Sequence, residues 1–422
     1  MRSTLSVISG LAVLALAACT AAPASTAPAP IQVAAPPADT ASPAPLTVLV
    51  SIDGFRPDYL KRGETPVLNQ LAATGARGAL QPSFPSKTFP NHYTLVTGLT
   101  PDHNGIVNNT MEDARRPGDV FTLSDPSVTS DPIWWEEATP IWVSAEQQGI
   151  RSATMFWPGS DFEIHGTRPS TFAPFDQKLT DFGRVDMLLS WLDAPEAERP
   201  QFATLYFDTV DTAGHLYGPQ SPKTASALAQ VDAALGRFIA GLEARGLRES
   251  TNLVIVSDHG MAPISDEQIM SLDAMIAPEK VHTVWTGTFA GLSPLPGQEA
   301  EVRAALIGTH PHGECWAKEN LPERFAYGAN PRVPAIICLA ENGWRYETAE
   351  MPAWRGAGGD HGYDPADANM AALFIANGPD IEPGTDLGTF DNTSVYPLLA
   401  KLTGVEPVQG DGDIADVEAA LR

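Results

Sequence analysis

From residue 46 onward the chain alternates short apolar runs with segments of helical periodicity, and several of the apolar runs stop at aspartate or histidine. The first run, LTVLVSIDG, has the continuous pattern expected of a buried strand covered on both faces and ends at Asp53 and Gly54. ETPVLNQLAATG then reads as a helix with Pro66 near its start and Gly75 past its end. A helix is expected after Thr88 and another over TPIWVSAEQQG, followed by a strand at RSATMFW. FATLYFDTVD reads as a strand running into Asp208 and Asp211. Beyond it, Ser221 and Pro222 suit the N-cap and first position of a helix whose Leu228, Val231, Leu235, Phe238 and Leu242 form one stripe, closed by Gly246. NLVIVSDHG ends in Asp258 and His259; later strands are expected at VPAIICLA and MAALFIANG, with a closing helix at NTSVYPLLAKLTG. This alternation predicts an α/β fold with a central, mainly parallel sheet covered by helices on both faces, and ligands outside the carboxyl ends of its strands. Residues 263–350 break the pattern and are expected to form a smaller inserted region. No internal repeat and no glycine-rich phosphate loop is present.

The first 45 residues follow different rules. Arg2, the short apolar stretch LSVISGLAVLALA and LAAC ending at Cys19 resemble a bacterial lipoprotein signal, with residues 1–18 removed and Cys19 lipidated; an ordinary secretory signal is the alternative. Residues 19–45, rich in Pro, Ala, Ser and Thr, are expected to be an extended tether, leaving 46–422 as the folded domain. Either signal implies export, to the periplasm or to an outer-membrane anchor, with the membrane reached only through the lipid. In an oxidising compartment Cys315 and Cys338 are expected to pair, two buried thiols being the alternative. A formal charge of −25, from 51 acidic against 26 basic side chains, repels polyanions and argues against binding a nucleic acid duplex through its backbone. A small anionic substrate is still compatible where local positive charge, most simply a metal, outweighs the global field. No oligomeric state follows from these features.

Each candidate site residue has a bland reading. Asp53 before Gly54 fits a turn, Asp211 and His215 in DTAGH fit a solvated pair four apart on a helix, and His361 in GGDHGY fits a glycine-rich loop. Asp258 and His259 are sharper, because two groups that are hard to bury stand together at the end of a buried strand. Taken together, carboxylates and imidazoles without thiols suit catalytic zinc sites, and two such metals can clamp an in-line phosphoryl transfer. Thr88, in PSFPSKTFPNHYTL, fits a helix cap on its own. Metal coordination would lower the pKa of its hydroxyl and make it a nucleophile.

The stretches SIDGFRPDYL, PSFPSKTFPNHYTLVTG, HNGIVNN, FWPGSDFEIHG, DTAGHLYGP, VSDHGM and GDHGYD occur in the order of the motifs of the nucleotide pyrophosphatase/phosphodiesterases of the alkaline phosphatase superfamily. The chain resembles that family over roughly residues 46–405. The resemblance implies an alkaline-phosphatase-like three-layer α/β/α fold and two Zn2+ per chain, one held by Asp53, Thr88, Asp258 and His259, the other by Asp211, His215 and His361. It implies that Thr88 attacks a phosphodiester or pyrophosphate bond of a small nucleotide, forms a covalent nucleotidyl-threonine, and releases nucleoside monophosphate on hydrolysis. Asn109 would donate its amide to a non-bridging oxygen beside the Thr88 N–H. Phe89 and Phe175 would sandwich the base, with Phe175 where some relatives carry Tyr, and Trp157 and Asp161 would shape the same pocket. Glycerophosphodiesters, lysolipids or phosphonates are the neighbouring substrate reading. A phosphate monoesterase is a second alternative, though the serine, arginine and third metal common in such enzymes are not evident around Thr88. A tethered binding protein with a dead site is a third, opposed by the intact set of ligand candidates.

Overall fold

The computed structural model describes residues 46–422 except Ser124, Trp354 and Ala357; the expected signal, Cys19 and the tether lie outside the described residues. Eight strands form the main sheet: β1 (Leu46–Ile52), β2 (Ala76–Gln81), β3 (Ser152–Met155), β4 (Thr171–Ala173), β5 (Phe202–Phe207), β6 (Thr251–Val256), β7 (Ala372–Asn377) and β8 (Thr385–Asp391). Their spatial order is β8-β2-β7-β6-β1-β5-β3-β4. β1 lies between β5 and β6 and runs parallel to both, Val48 standing beside Ala203 and Leu253. Only β7 reverses direction, antiparallel to β2 and β6.

Both faces of the sheet are covered, which is why β1 is apolar at nearly every position. Leu49 points into one core with Tyr93, Leu95 and Val96 of helix α2 (Thr88–Thr97), Trp142 of α3 (Ile141–Gln147) and Leu398 of α7 (Val395–Thr403). Val48, Val50 and Ile52 point into the other, against α1 (Pro66–Thr74), α4 (Asp181–Leu192) and α6 (Pro222–Ala244). The stripe Leu228, Val231, Leu235, Phe238 and Leu242 of α6 is buried there throughout. Ser221 caps α6, its hydroxyl accepting from the Thr224 N–H at 3.1 Å, with Pro222 in the first turn. Asp232, buried on the same helix, accepts from the N–H groups of Val67 and Leu68 and so closes the N-terminus of α1. The remaining named helix, α5 (Thr209–Tyr217), leaves the carboxyl end of β5 directly.

Residues 281–340 build a second, antiparallel sheet of five strands in the spatial order Val281–Trp285, Phe289–Pro294, Ile336–Ala340, Gly313–Ala317, Gly308–His310. It has its own core, including Leu292, Val302, Leu306 and Ile336. The strand VPAIICLA belongs here and not to the main sheet. Cys315 and Cys338 stand opposite each other on neighbouring strands and are joined by a disulfide that closes a separation of 23 residues. A Cys315→Ala/Cys338→Ala variant is expected to unfold about 3 kcal/mol more easily in a denaturant titration. An unchanged midpoint would mean that the ladder alone holds this sheet. No helix among the described residues is long and apolar enough to cross a membrane.

Candidate active site

The site collects where β1, β5 and β6 end. Because β1 and β6 are paired in parallel, Ser51 beside Val256, the residues that follow them emerge side by side: Asp53 from one, Asp258 and His259 from the other. Gly54, at φ +69°, turns the chain away at once, and a Cβ there would lie 3.1 Å from Asp211, so this position calls for glycine. Asp211 and His215 stand one turn apart on α5, and His361 comes from the loop after the short strand Gly359–Asp360. One set of ligand atoms, from Asp53, Asp258 and His259, lies within 4.8 Å of one another, and so does a second, from Asp211, His215 and His361. The sets adjoin: the His361 ring stacks on His259 with centroids 3.5 Å apart, and His215 is 5.0 Å from His361. Thr88 Oγ1 lies 3.3 Å from His259 Nε2.

Each of the three histidines has its Nδ1 fixed by a backbone carbonyl: His259 by Gly260 at 2.9 Å, His215 by Gly359 at 2.9 Å and His361 by Ser86 at 2.8 Å. Every Nε2 is thereby aimed inward, the usual outer support of a metal-binding imidazole. The carboxylates face the same space. His259 Nε2 is 2.9 Å from Asp258 Oδ2 and 3.4 Å from Asp53 Oδ1, while Asp211 Oδ1 is 3.4 Å from His215 Nε2 and 3.9 Å from that of His361. Asp53 Oδ1 and Asp211 Oδ1 are buried with no hydrogen-bond donor among the described residues, and Asp258 Oδ2 is met only by the His259 and His92 rings. Buried carboxylate oxygens left this way are costly unless positive charge meets them.

The titration behaviour follows from the crowding. Burial, then the charges of Asp258 and Asp211, pushes Asp53 well above the usual carboxylate range, and burial also raises Asp211 against the pull of His215 and His259. Burial would raise Asp258 too, but His259 and His92 outweigh it and hold that carboxyl well below its ordinary value. For His259 burial acts downward, yet the Asp258 carboxylate prevails and raises it, drawing positive charge to Nε2. Burial and the neighbouring charges of His259 and Lys87 hold His361 well below the usual imidazole range, which keeps its Nε2 lone pair available. Nitrogen and oxygen donors, inward lone pairs and unmet buried carboxylates together fit two divalent cations, and no thiol lies in either set.

Thr88 is the first residue of α2, and Lys87 takes the N-cap place without a side-chain cap bond. The hydroxyl of Thr88 is therefore not spent on capping and faces the first Asp/His set. The turn before it is held from several sides: Asn91 accepts from the Ser83 N–H at 2.8 Å and donates to the Pro85 carbonyl at 2.8 Å, and Lys87 Nζ bonds Asp360 Oδ1 and the His361 carbonyl. His92, one turn on, donates from Nδ1 to the Thr88 carbonyl at 2.9 Å, lies 3.3 Å from Asp258 Oδ2, and meets Ser51 Oγ through Nε2 at 2.8 Å. Tyr206 donates to Asp53 Oδ2 at 2.6 Å. Sequence alone did not single out His92 or Tyr206. The spacing of four between Thr88 and His92 was a usable signal, whereas Tyr206 reads as one more strand residue.

Asn109 Oδ1 accepts from the Phe89 N–H at 2.8 Å, which fixes the amide plane and leaves Nδ2 as its outward donor. Phe89 is half-buried against Phe121 and Trp135. Phe175 is 54 % exposed and set edge-on to Phe156 and Tyr206, with the Arg184 guanidinium 5.7 Å from its ring. Trp157 is 4 % exposed and donates from Nε1 to the His92 carbonyl at 3.0 Å, so it supports α2 from behind and offers no ring face to a ligand. Asp161 is half-buried, and burial raises its carboxyl.

The sequence profile of the type I phosphodiesterase/nucleotide pyrophosphatase family matches residues 47–364. An uncharacterised pyrophosphatase/phosphodiesterase of Schizosaccharomyces pombe is 37% identical over 386 residues, spanning 86% of this chain and 78% of that one. The bis(5'-adenosyl)-triphosphatase of Xenopus laevis is 35% identical over 384 residues, spanning 90% and 83%. Among solved structures, human ectonucleotide pyrophosphatase/phosphodiesterase 5 superposes with a TM-score of 0.85 at 34% identity, over 89% of this chain and 100% of that one. An inactive threonine-to-alanine variant of the murine protein, in complex with AMP, superposes with a TM-score of 0.84 at 33% identity, over 90% and 100%.

Proposed function

The chain belongs to the type I phosphodiesterase/nucleotide pyrophosphatase family, and from that premise we propose that it is a zinc-dependent hydrolase releasing nucleoside monophosphates from small nucleotides through a covalent nucleotidyl-threonine. The observation that carries the reading is Thr88 Oγ1, 3.3 Å from His259 Nε2, facing two adjoining Asp/His sets. Asp53, Thr88, Asp258 and His259 would hold one ion and Asp211, His215 and His361 the other. Zinc bound there supplies positive charge that lowers the pKa of a coordinated alcohol and offsets the charge of phosphoryl oxygens.

The protein's own groups do the remaining work. Thr88 Oγ1 bonds to phosphorus as its proton leaves and the bond to the departing oxygen breaks; water then cleaves the threonyl ester to give monophosphate and free Thr88. In the first turn of α2 the Phe89 N–H is taken by Asn109 Oδ1, residue 90 is a proline and the Asn91 N–H donates to the Lys87 carbonyl, so the Thr88 N–H is the backbone donor left for a phosphoryl oxygen, and Asn109 Nδ2 would add a second where negative charge builds up. His92 and Trp157 keep α2 seated, and Tyr206 keeps the Asp53 carboxylate oriented. Phe89 and Phe175 offer ring faces to a base, a contact tolerant of base identity. The bis(5'-adenosyl)-triphosphatase activity for which the Xenopus relative is named and the AMP bound to the murine one support adenine nucleotides as the substrate class. The word ectonucleotide in the names of relatives supports export, as does the signal-like N-terminus.

The test is to measure AMP release from ATP and from diadenosine triphosphate against phosphocholine release from a lysophosphatidylcholine, on one preparation. AMP is the expected product; a lysolipid rate more than about tenfold higher would overturn the nucleotide reading. Phe175→Ala is expected to raise KM for ATP by about tenfold or more through loss of base stacking. The same variant should leave bis(p-nitrophenyl) phosphate, which has no base, close to wild type. Equal losses on both substrates would remove Phe175 from the base site.

A further inference from the structure

A loop of the second sheet, running from the end of its strand Gly313–Ala317 back to Ile336–Ala340, is pressed into the main body. Arg332, 4 % exposed, spends its whole guanidinium there: Nε donates to Asp113 Oδ2 at 2.8 Å, Nη1 to the carbonyls of Gly105 at 2.6 Å and Trp134 at 3.0 Å, and Nη2 to that of Ile133 at 2.6 Å. Gly105 and Asp113 are the two ends of the segment whose middle carries Asn109. Tyr327 donates to the Val107 carbonyl at 2.8 Å, between those ends. Just before the segment, Asp102 accepts from the N–H groups of Gly328, Ala329 and Asn330, each at 2.9 Å. Gly105 itself, at φ +83°, has room only for hydrogen, since a Cβ would stand 2.7 Å from Arg332 Nη1. The same loop also reaches the turn before Thr88: Phe325 stacks on Phe84 at 4.4 Å and Tyr327 meets it edge-on at 5.1 Å.

We propose that Arg332 and Tyr327 are positioning residues of the phosphoryl-transfer site, holding residues 105–113 so that the Asn109 amide converges with the Thr88 N–H. The second sheet is on this account part of the support of the catalytic centre. A charge-assisted fork with four acceptors, buried and thus little weakened by water, fixes a backbone segment far better than the loop's own short hairpin at Thr110–Glu112 and Val120–Thr122 could. Displacements of about 1 Å in a group that meets developing charge cost up to about a hundredfold in rate. The proposal rests on the reading of Asn109 as a phosphoryl-oxygen donor.

The experiment compares Arg332→Lys, Tyr327→Phe and Asn109→Ala, singly and in pairs, in the full-length zinc-loaded protein with bis(p-nitrophenyl) phosphate, with folding checked by circular dichroism. Asn109→Ala is expected to lower kcat about 10²- to 10³-fold. Arg332→Lys should lower kcat about tenfold or more and Tyr327→Phe about threefold, both with KM changed less than about twofold. In the Asn109→Ala background neither should lower kcat further, because the group they position is gone. Folded Arg332→Lys and Tyr327→Phe proteins with wild-type kcat would overturn the proposal, as would losses that multiply with that of Asn109→Ala. An unaffected Asn109→Ala enzyme would overturn the underlying reading of Asn109 instead, and the proposal with it. If Arg332→Lys does not fold, Tyr327→Phe decides alone, since it keeps the ring packed on Phe84 and removes one hydrogen bond.

Discussion

Thr88→Ala is expected to abolish turnover, by at least about 10⁴-fold in kcat on ATP, while the protein stays folded and still binds AMP. The reason lies in what the hydroxyl does and does not do. As the first residue of α2, with Lys87 at the N-cap and no side-chain cap bond, Thr88 contributes little to the helix end. Alanine also has the better helix propensity, so stability should change by less than about 1 kcal/mol. What disappears is the alcohol oxygen that lies 3.3 Å from His259 Nε2 at the first Asp/His set. Steady-state rates alongside AMP titration by calorimetry separate the two effects. A Thr88→Ala enzyme within about tenfold of wild type would rule out nucleophilic catalysis at this position.

Removing metal should have the second largest effect, visible without any activity assay. Asp53 Oδ1 and Asp211 Oδ1 lie buried without hydrogen-bond donors among the described residues, so ions that meet them favour the folded over the unfolded chain. Dialysis against a chelator is expected to eliminate turnover and to lower Tm by about 5–10 °C, with both restored by zinc. Binding requires the carboxylates to be ionised, and Asp53 and Asp211 are raised above the usual carboxylate range. Each therefore takes up a proton at a higher pH than an ordinary aspartate, and that proton competes with metal. Apparent zinc affinity should thus begin to fall on acidification before the pH of ordinary aspartate titration is reached. A Tm that does not respond to chelator and zinc would contradict the assignment of these two sets as metal sites.

How far the molecule could be read from its residues varies by feature, for physical reasons. Mostly apolar runs ending in Asp53 and Asp258-His259 marked central strands, because a strand covered on both faces is apolar on both, and the polar groups at their ends marked a candidate site edge even though Asp53 alone also fits a turn. Ser221, Pro222 and the five-residue stripe of α6 fixed that helix from cap to core. The direction of β7 was not legible, since Leu373, Phe374 and Ile375 suit a parallel or an antiparallel neighbour equally. β2 and β8, toward the edge of the sheet, carry Arg77, Gly78 and Gly388 and are only partly buried, so neither shows the alternation or the apolar density of a strand. Trp157 sits in a motif beside the site, but its burial under α2 depends on packing that the motif does not encode. Arg332 is more than two hundred residues from the Gly105 and Asp113 groups that it joins (separations of 227 and 219), and such apposition has no local signal.

The central claim is a double displacement through Thr88, and the stereochemical course at phosphorus tests it most directly. A phosphorothioate diester of defined configuration, hydrolysed in isotopically labelled water by the zinc-loaded enzyme, gives a chiral nucleoside thiophosphate whose configuration can be assigned by phosphorus NMR. Two successive in-line displacements, by Thr88 and then by water, each invert the centre, so retention is the predicted result. Net inversion would show that water attacks the substrate directly and that Thr88 is not the nucleophile.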